Sequence, residues 1–428
     1  MPGMTTHRMA EPVFNGQVAV YEAGRGNKRA IMLVHGIGEE GAHDYREHIA
    51  WLRESFHVIA MDLPGFGQSD KSNSLYSPAN YARVLKLIAD RFLGRPFVMV
   101  GHSMGALASL RYAADHPEDV ERLVVISVPG VLHRHTVSSR YLAQAGQSFI
   151  PGSADSLEGL IRLAGKLLTP LERLGVDPQE VLSSPEERER ALAADPVRIA
   201  GLAAVIDDLH QELPKIRAET LVIWGGRDEV APLRNGRVLA AKIPRARLEV
   251  IEDAEHTPMD EAPLRFHAVL GAFLDYGLES VPAKVAAPMA RQGEKTCRRE
   301  RGRTFEGEFD KLTLESCPQA RIRNARIREL RILGSTVTID DSHIGGGKTG
   351  MSVRNSTVVL TGGRIEGDVA ISAYSSRLDL AAVEVVGREA AVKASRRSYV
   401  VFSLSRLSSP YVQGEVHQFY TVTETSPR

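Results

Sequence analysis

The hydrophobic positions of the chain follow two regimes. In the first, apolar runs of strand length at residues 30–34, 56–61, 97–100, 123–126, 221–224 and 248–251 are separated by stretches of helical period such as 81–92. Runs that are apolar at consecutive positions suit strands covered on both faces. This half therefore predicts an α/β fold, a mostly parallel sheet covered by helices. Asn15-Gly16, set between apolar runs, predicts a type I′ hairpin near the start. From Pro129 to Leu213 no strand pattern occurs, and residues 157–168, 185–194 and 197–209 have helical period. That region is expected to be a helical cap over the sheet, and residues 266–273 a closing helix.

The second regime is a repeat. STVTIDDSHIG from Ser335 recurs as STVVLTGGRIEG from Ser356, as SRLDLAAVEVVG from Ser376, and more loosely from Ser398. Apolar and polar residues alternate within each unit, and the period is about twenty residues, without helices. One coil of a parallel β-helix per repeat meets that pattern, so an all-β parallel β-helix domain is expected. The expected boundaries are residues 1–280 for the α/β domain (cap about 129–213), 281–296 for a Pro-, Ala- and Lys-rich linker, and 297–428 for the repeat.

Composition narrows the classes. The 428 residues are 43% hydrophobic and 25% charged, with Lys plus Arg equal to Asp plus Glu at 53 each. No bulk charge points to a nucleic-acid partner, and no apolar run is long enough for a membrane span. The opening MPGMTTHRMAEP lacks the apolar stretch of a signal peptide. A cytoplasmic location is the expectation, although a mature exported form without its leader reads the same. The two cysteines, Cys297 and Cys317, lie about one coil apart. They are expected to be buried thiols, with a disulfide as the alternative for an exported protein.

The candidate chemistry centres on Gly101-His102-Ser103-Met104-Gly105, set between the 97–100 run and an Ala- and Leu-rich helix. A serine on a sharp strand-to-helix turn leaves no room for side chains two residues before and after it, and glycine stands at both places. Ser103 is the candidate nucleophile. Asp228 and His256 follow later strands in the order Ser, Asp, His, which lets all three converge at the carboxyl edge of the sheet. His256 is the candidate base and Asp228 its orienting acid. The backbone N–H groups of Met104 and of Ile37, in a His35-Gly36-Ile37-Gly38 loop, are the candidate oxyanion donors; losing one such donor typically costs ~3 kcal/mol in the barrier. His35 and His102 flank the site and read as packing residues, Asp253 and Asp260 have only proximity to His256 in their favour, and the loop 62–70 reads as structural.

These motifs, HGIG at 35–38, DLPGFGQSD at 62–70, GHSMG at 101–105, WGGRDEVAP at 224–232 and EHTP at 255–258, resemble the α/β-hydrolase superfamily, in particular its helical-capped esterase and carbon–carbon-bond hydrolase branch. The resemblance spans residues 13–276 and implies Ser103, Asp228 and His256 as the triad, with Ile37 and Met104 as oxyanion amides. One departure is Glu255, where the family usually has glycine before the catalytic histidine; it bears on the loop's shape and on the basicity of His256. A serine nucleophile sets the chain apart from the epoxide hydrolases and dehalogenases of this fold. The implied activity is carboxylic ester hydrolysis on a small-molecule ester, with no cofactor or metal. The alternatives are a lactonase, a carbon–carbon-bond (meta-cleavage-type) hydrolase drawing on His133, Arg134 or His135, and a binding scaffold with a vestigial hydrolase. The repeat resembles pectate-lyase-like proteins as architecture alone. A carbohydrate-binding, surface-attachment or self-association role is expected for it, and Asp340, Asp341, Asp368 and Asp379 read as solvated turns more readily than as a metal cluster.

Overall fold

The computed structural model describes residues 3–134, 136, 176–281 and 289–422. They fall into two compact units, Met1–Pro282 and Ala283–Arg428.

In the first unit, β1 (Thr5–Glu11), β2 (Gly16–Ala23), β3 (Arg29–Val34), β4 (Phe56–Asp62), β5 (Phe97–His102), β6 (Val120–Ile126), β7 (Glu219–Gly225) and β8 (Ala246–Ile251) form one sheet in the order β1-β2-β4-β3-β5-β6-β7-β8. The β1–β2 and β2–β4 pairings are antiparallel, and every pairing from β4 through β8 is parallel. β4 and β5 are buried at every position, which is why both read as unbroken apolar runs. The initial hairpin differs from expectation. Glu11 pairs with Gly16, so the turn spans residues 12–15 instead of Asn-Gly alone. The Glu11 carboxylate widens it by accepting the N–H groups of Val13, Phe14 and Gly16 at 2.7, 2.9 and 3.2 Å.

The described helices are α1 (Arg46–Leu52), α2 (Pro78–Phe92), α3 (Met104–Asp115), α4 (Pro178–Ser183), α5 (Pro185–Leu192), α6 (Pro196–Val205), α7 (Leu233–Lys242), α8 (Pro258–Glu261) and α9 (Pro263–Tyr276). None of them is long and apolar enough to cross a membrane. α4, α5 and α6 fall in the expected cap. Each begins with proline after an Asp177, Ser184 or Asp195 cap, whose side chain accepts a first-turn N–H. The expected helix at 157–168 lies outside the described residues. Arg111 on α3 grips Asp207, just beyond α6, through Nη2–Oδ1 at 2.7 Å and Nε–Oδ2 at 3.0 Å, which ties this region to the helix that follows Ser103.

The second unit is all β. Its strands are β9 (Arg291–Arg298), β10 (Thr304–Glu315), β11 (Ala320–Leu333), β12 (Thr336–Gly345), β13 (Thr349–Arg354), β14 (Thr357–Tyr374), β15 (Arg377–Ala381), β16 (Glu384–Ser395), β17 (Ser398–Ser408) and β18 (Gln413–Val422). β9 through β17 pair in parallel, each with the strand about one coil away, and only β18 returns antiparallel, onto β17. Register stacks like on like. Leu312, Leu330, Met351, Ile371 and Val392 form one inward column. At its start stands Lys295, paired with Leu312 and set with its ammonium 5.7 Å from the Phe305 ring. Lys295 itself is exposed, and the buried part of the column begins at Leu312.

A second column is polar. The N–H groups of Cys317, Ser335, Ser356 and Ser376 donate to the hydroxyls of Ser335, Ser356, Ser376 and Ser398, at 2.9, 3.0, 3.2 and 3.3 Å. Ser335, Ser356 and Ser376 in turn donate to the carbonyls of Leu333, Arg354 and Tyr374 in their own coils. The residue just before each member (Ser316, Gly334, Asn355, Ser375 and Arg397) has positive φ, which makes the corner that turns the hydroxyl inward. The recurrent serine of the repeat is therefore a corner hydrogen-bonding residue, and Cys317 holds the same place one coil earlier.

Two expectations are corrected here. Cys297 and Cys317 are joined in a disulfide, and no free cysteine remains. The parallel register that sets Cys297 beside Leu314 brings the two sulfurs together. Arg291–Thr296, expected to belong to the linker, is part of β9. Among the described strands it pairs with β10 alone, so polar residues are tolerated along it and its apolar signature is lost.

Candidate active site

The residues singled out in the first unit all follow strand ends on one edge of the sheet. β5 ends at His102, and Ser103 occupies the turn into α3 with φ 51° and ψ −120°, a conformation that a non-glycine residue holds only when its surroundings enforce it. The enforcement is visible at the two flanking glycines. A Cβ on Gly105 would lie 2.3 Å from the His35 carbonyl oxygen, and one on Gly101 would lie 2.5 Å from Ser109 Oγ. Ser103 N–H is held by the Ile126 carbonyl at 2.9 Å.

The structure brings Ser103, His256 and Asp228 into one line. His256 Nε2 lies 3.1 Å from Ser103 Oγ, and its Nδ1 lies 2.9 Å from Asp228 Oδ2. Asp228 Oδ1 accepts the N–H groups of Val230 and Ala231, both at 2.8 Å. The carboxylate is thereby fixed, with its second oxygen facing the imidazole. A carboxylate at Nδ1 requires the proton there, which leaves Nε2 as acceptor for the serine hydroxyl. All three residues are buried, so the line is shielded from bulk water.

The His35–Gly38 loop packs on this line, since a Cβ on Gly36 would lie 2.9 Å from Ser103 Cβ. Ile37 is next along that loop. Met104, the first residue of α3, has an N–H beyond the reach of the helix's own bonding. His35 is buried beneath the loops. His35 Nε2 accepts the Leu63 N–H at 2.8 Å, and its Nδ1 faces the Gly36 carbonyl at 2.6 Å. Burial holds its pKa below the usual imidazole range. The 62–70 loop is structural too: the Asp62 carboxylate accepts from Ala42 N–H, Gln68 N–H and Tyr21 O–H, each at 2.8 Å.

The loop carrying His256 reveals what Glu255 and the two glycines before Asp228 do. A Cβ on Gly225 would lie 1.7 Å from the Glu255 carbonyl oxygen, so only glycine lets β7 approach the loop. Glu255 itself is exposed, and its N–H donates to Glu261, which also accepts the Thr257 hydroxyl at 2.8 Å. Glu261 is thus a loop clamp that sequence reasoning passed over; its Thr257-to-Glu261 spacing was the available signal. Asp44 was missed as well. Burial, with Asp260 and Glu40 nearby, pushes its pKa up to about 6, and Gly38 of the His-Gly loop is its neighbour.

Other candidates are not brought to this line. Asp253 pairs with Arg227 at 2.9 Å, and Asp260 lies 3.9 Å from His48. Arg134 is engaged by Asp177 at 3.1 Å, and His135 lies outside the described residues. In the second unit Asp368 pairs with Arg388 at 2.6 Å. Among the described residues no three His, Cys, Asp or Glu side chains are grouped as metal ligands would be.

With this fold and site, residues 29–263 match the family described as alpha/beta hydrolase fold, and the chain belongs to that family. Lipases are among its relatives. It is 29% identical over 255 residues to Lipase 1 of Psychrobacter immobilis, covering 58% of this chain and 78% of that protein. It is 28% identical over 268 residues to a monoacylglycerol lipase of Xenopus laevis, covering 58% and 76%. A solved hydrolase from Pseudomonas aeruginosa is 25% identical, covers 63% of this chain and 98% of its own, and superposes with a TM-score of 0.47.

Proposed function

We propose that this protein hydrolyses carboxylic esters through an acyl-enzyme on Ser103. The observation that carries the reading is the Ser103–His256–Asp228 line, at 3.1 and 2.9 Å, on a strained turn. In this reading Ser103 Oγ attacks the ester carbonyl carbon as its proton passes to His256 Nε2. Asp228 stabilises the imidazolium so formed. The tetrahedral oxyanion is met by the N–H groups of Met104 and Ile37, with the N-terminus of α3 behind them. Collapse expels the alcohol, which takes the proton from His256. Water then gives its proton to the same nitrogen, attacks the acyl carbon, and releases the carboxylic acid and free Ser103. The lipase relatives support an ester substrate. The engagement of Arg134 by Asp177 weighs against its serving as the cation that a dienol carboxylate would need.

The test is turnover of p-nitrophenyl esters from short to long acyl chains, with Ser103→Ala alongside. Turnover by the parent and a loss of about 10⁴-fold or more in the variant are expected. Failure of the parent on every ester, together with no reaction of Ser103 with a fluorophosphonate, would overturn the reading.

A further inference from the structure

His102 is a buried imidazole for which the proposed reaction has no direct use. It stands where three separately built pieces of the site meet. As the last residue of β5 it is covalently next to Ser103. Its Nε2–H donates to the backbone carbonyl of His256 at 3.0 Å, and the two rings lie 5.1 Å apart, tilted by 57°. On its other side lies Gly36, where a Cβ would come within 3.0 Å of His102 Nδ1 and 2.9 Å of Ser103 Cβ.

The Ser103–His256 hydrogen bond joins residues far apart in the chain, so its length depends on how the His256 loop is seated against the turn after β5. The Glu261 clamp ties that loop to α8, and the Arg227 N–H to Ala254 carbonyl bond, at 2.9 Å, ties it to the residues just after β7. The His102 bond is the tie from the nucleophile's strand. We infer that His102 is a positioning residue, whose Nε2–H bond to the His256 carbonyl seats the base loop on the Ser103 turn. The inference rests on the proposed ester hydrolysis. Burial, with the His256 and His35 imidazoles nearby, brings the pKa of His102 down to about 3, so the ring stays neutral with a single N–H, and the His256 carbonyl holds that proton on Nε2. A carbonyl left without its donor is free to turn, and a shift of roughly 1 Å between base and nucleophile is enough to cost about 10²-fold in rate.

The experiment compares wild type, His102→Gln and His102→Leu. Glutamine carries an amide N–H close to the position of Nε2, and leucine carries none. Two rates are read per folded molecule: fluorophosphonate labelling of Ser103, and turnover of a short p-nitrophenyl ester. Leucine is expected to lower both the labelling rate and kcat by about 30- to 100-fold with KM within about twofold, and glutamine to stay within about threefold of wild type. The acid limb of the kcat/KM profile should be unmoved in the glutamine variant, since the residue replaced does not titrate there. If leucine does not fold, His102→Asn, whose amide falls one methylene short, takes its place. Wild-type rates in the leucine or asparagine variant, or a glutamine variant as slow as leucine, would overturn the inference and leave the ester reading standing. A wild-type protein inert to both probe and esters would remove both.

Discussion

The two units use a small set of side chains in opposite ways. In the first, three different side chains from the ends of three strands are brought into one line: the Ser103 hydroxyl and the Asp228 carboxylate meet the two ring nitrogens of His256. In the second, one kind of side chain does one thing repeatedly, as Ser335, Ser356, Ser376 and Ser398 each accept an N–H from the coil before. A serine sits on a strained turn with its hydroxyl at an imidazole in one place, and bridges backbone groups of successive coils in the other. The residue type is therefore uninformative until its backbone is known. Ser103 itself has φ of 51°, whereas in the repeat the left-handed residue is the one before the serine, as at Asn355 and Ser375. Activity in the first unit should depend steeply on a few close approaches, while stability in the second should decline in small, similar steps.

The steepest step is predicted at Gly105. A Cβ there would press on the carbonyl oxygens of His35 and Val34 at 2.3 and 2.4 Å, and both are backbone atoms that cannot rotate aside. Gly105→Ala should push the start of α3 away from β3 and carry the Met104 N–H with it. The expected result is a loss of more than about 100-fold in fluorophosphonate labelling, with destabilisation of about 3 kcal/mol. Labelling rates and a thermal melt check both numbers. An alanine variant that labels at the wild-type rate would remove the contrast between the units.

That contrast also explains what was legible in the sequence. β4 and β5 stood out because strands covered on both faces must be apolar throughout, and Ser103 was legible because close approach allows only glycine beside the turn. Asp228 and His256 followed from order, each after its strand. The missed features are exposed or end strands and side chains bonded to backbone atoms, neither of which a pattern of residue types records. β1 is largely exposed and has no apolar signature, and the widened hairpin depends on the carboxylate of Glu11. β9 is polar because, among the described strands, it pairs with β10 alone. Cys317 hid its membership in the serine column because its place there is a matter of backbone hydrogen bonding, visible only once Ser335 is seen to accept its N–H. The clamp at Glu261 and the bond from His102 to the His256 carbonyl are contacts with backbone atoms, which leave little trace in residue type.

The disulfide offers an intermediate test. Cys297 and Cys317 lie 20 residues apart and cross-link β9 to the chain just beyond β10, the one described strand with which β9 pairs. Cross-linking a loop of that size stabilises a fold by about 3 kcal/mol. Reduction, or Cys297→Ser with Cys317→Ser, should raise hydrogen exchange through β9 and the start of β10 while later coils stay protected and ester turnover is unchanged. Loss of protection throughout the second unit would show that the coils melt as one body, contrary to the graded behaviour expected of stacked repeats.

The smallest effect is the most specific to the repeat. Ser356→Ala removes the acceptor of the Ser335 N–H at 3.0 Å and the donor to the Arg354 carbonyl at 2.7 Å, both in a buried column. Leaving such groups unpaired should destabilise the second unit by about 2 kcal/mol. Ser356→Cys is the sharper variant, because the chain already carries a cysteine at this place one coil before Ser335. There the Cys317 sulfur, tied in the disulfide, sits 3.4 Å from the Glu315 carbonyl with no S–H to donate, which shows that sulfur fits the corner but leaves the worth of a thiol donor to be measured. A thiol is a weak donor and acceptor but of nearly the right size. Cysteine at 356 should therefore fall between serine and alanine in denaturant midpoint, while fluorophosphonate labelling of Ser103 stays at the wild-type rate in both variants. If alanine and cysteine are equally destabilising, the column acts by shape and its hydrogen bonds contribute little. If both equal wild type, the corners hold themselves, and the left-handed residues before each serine carry the turn.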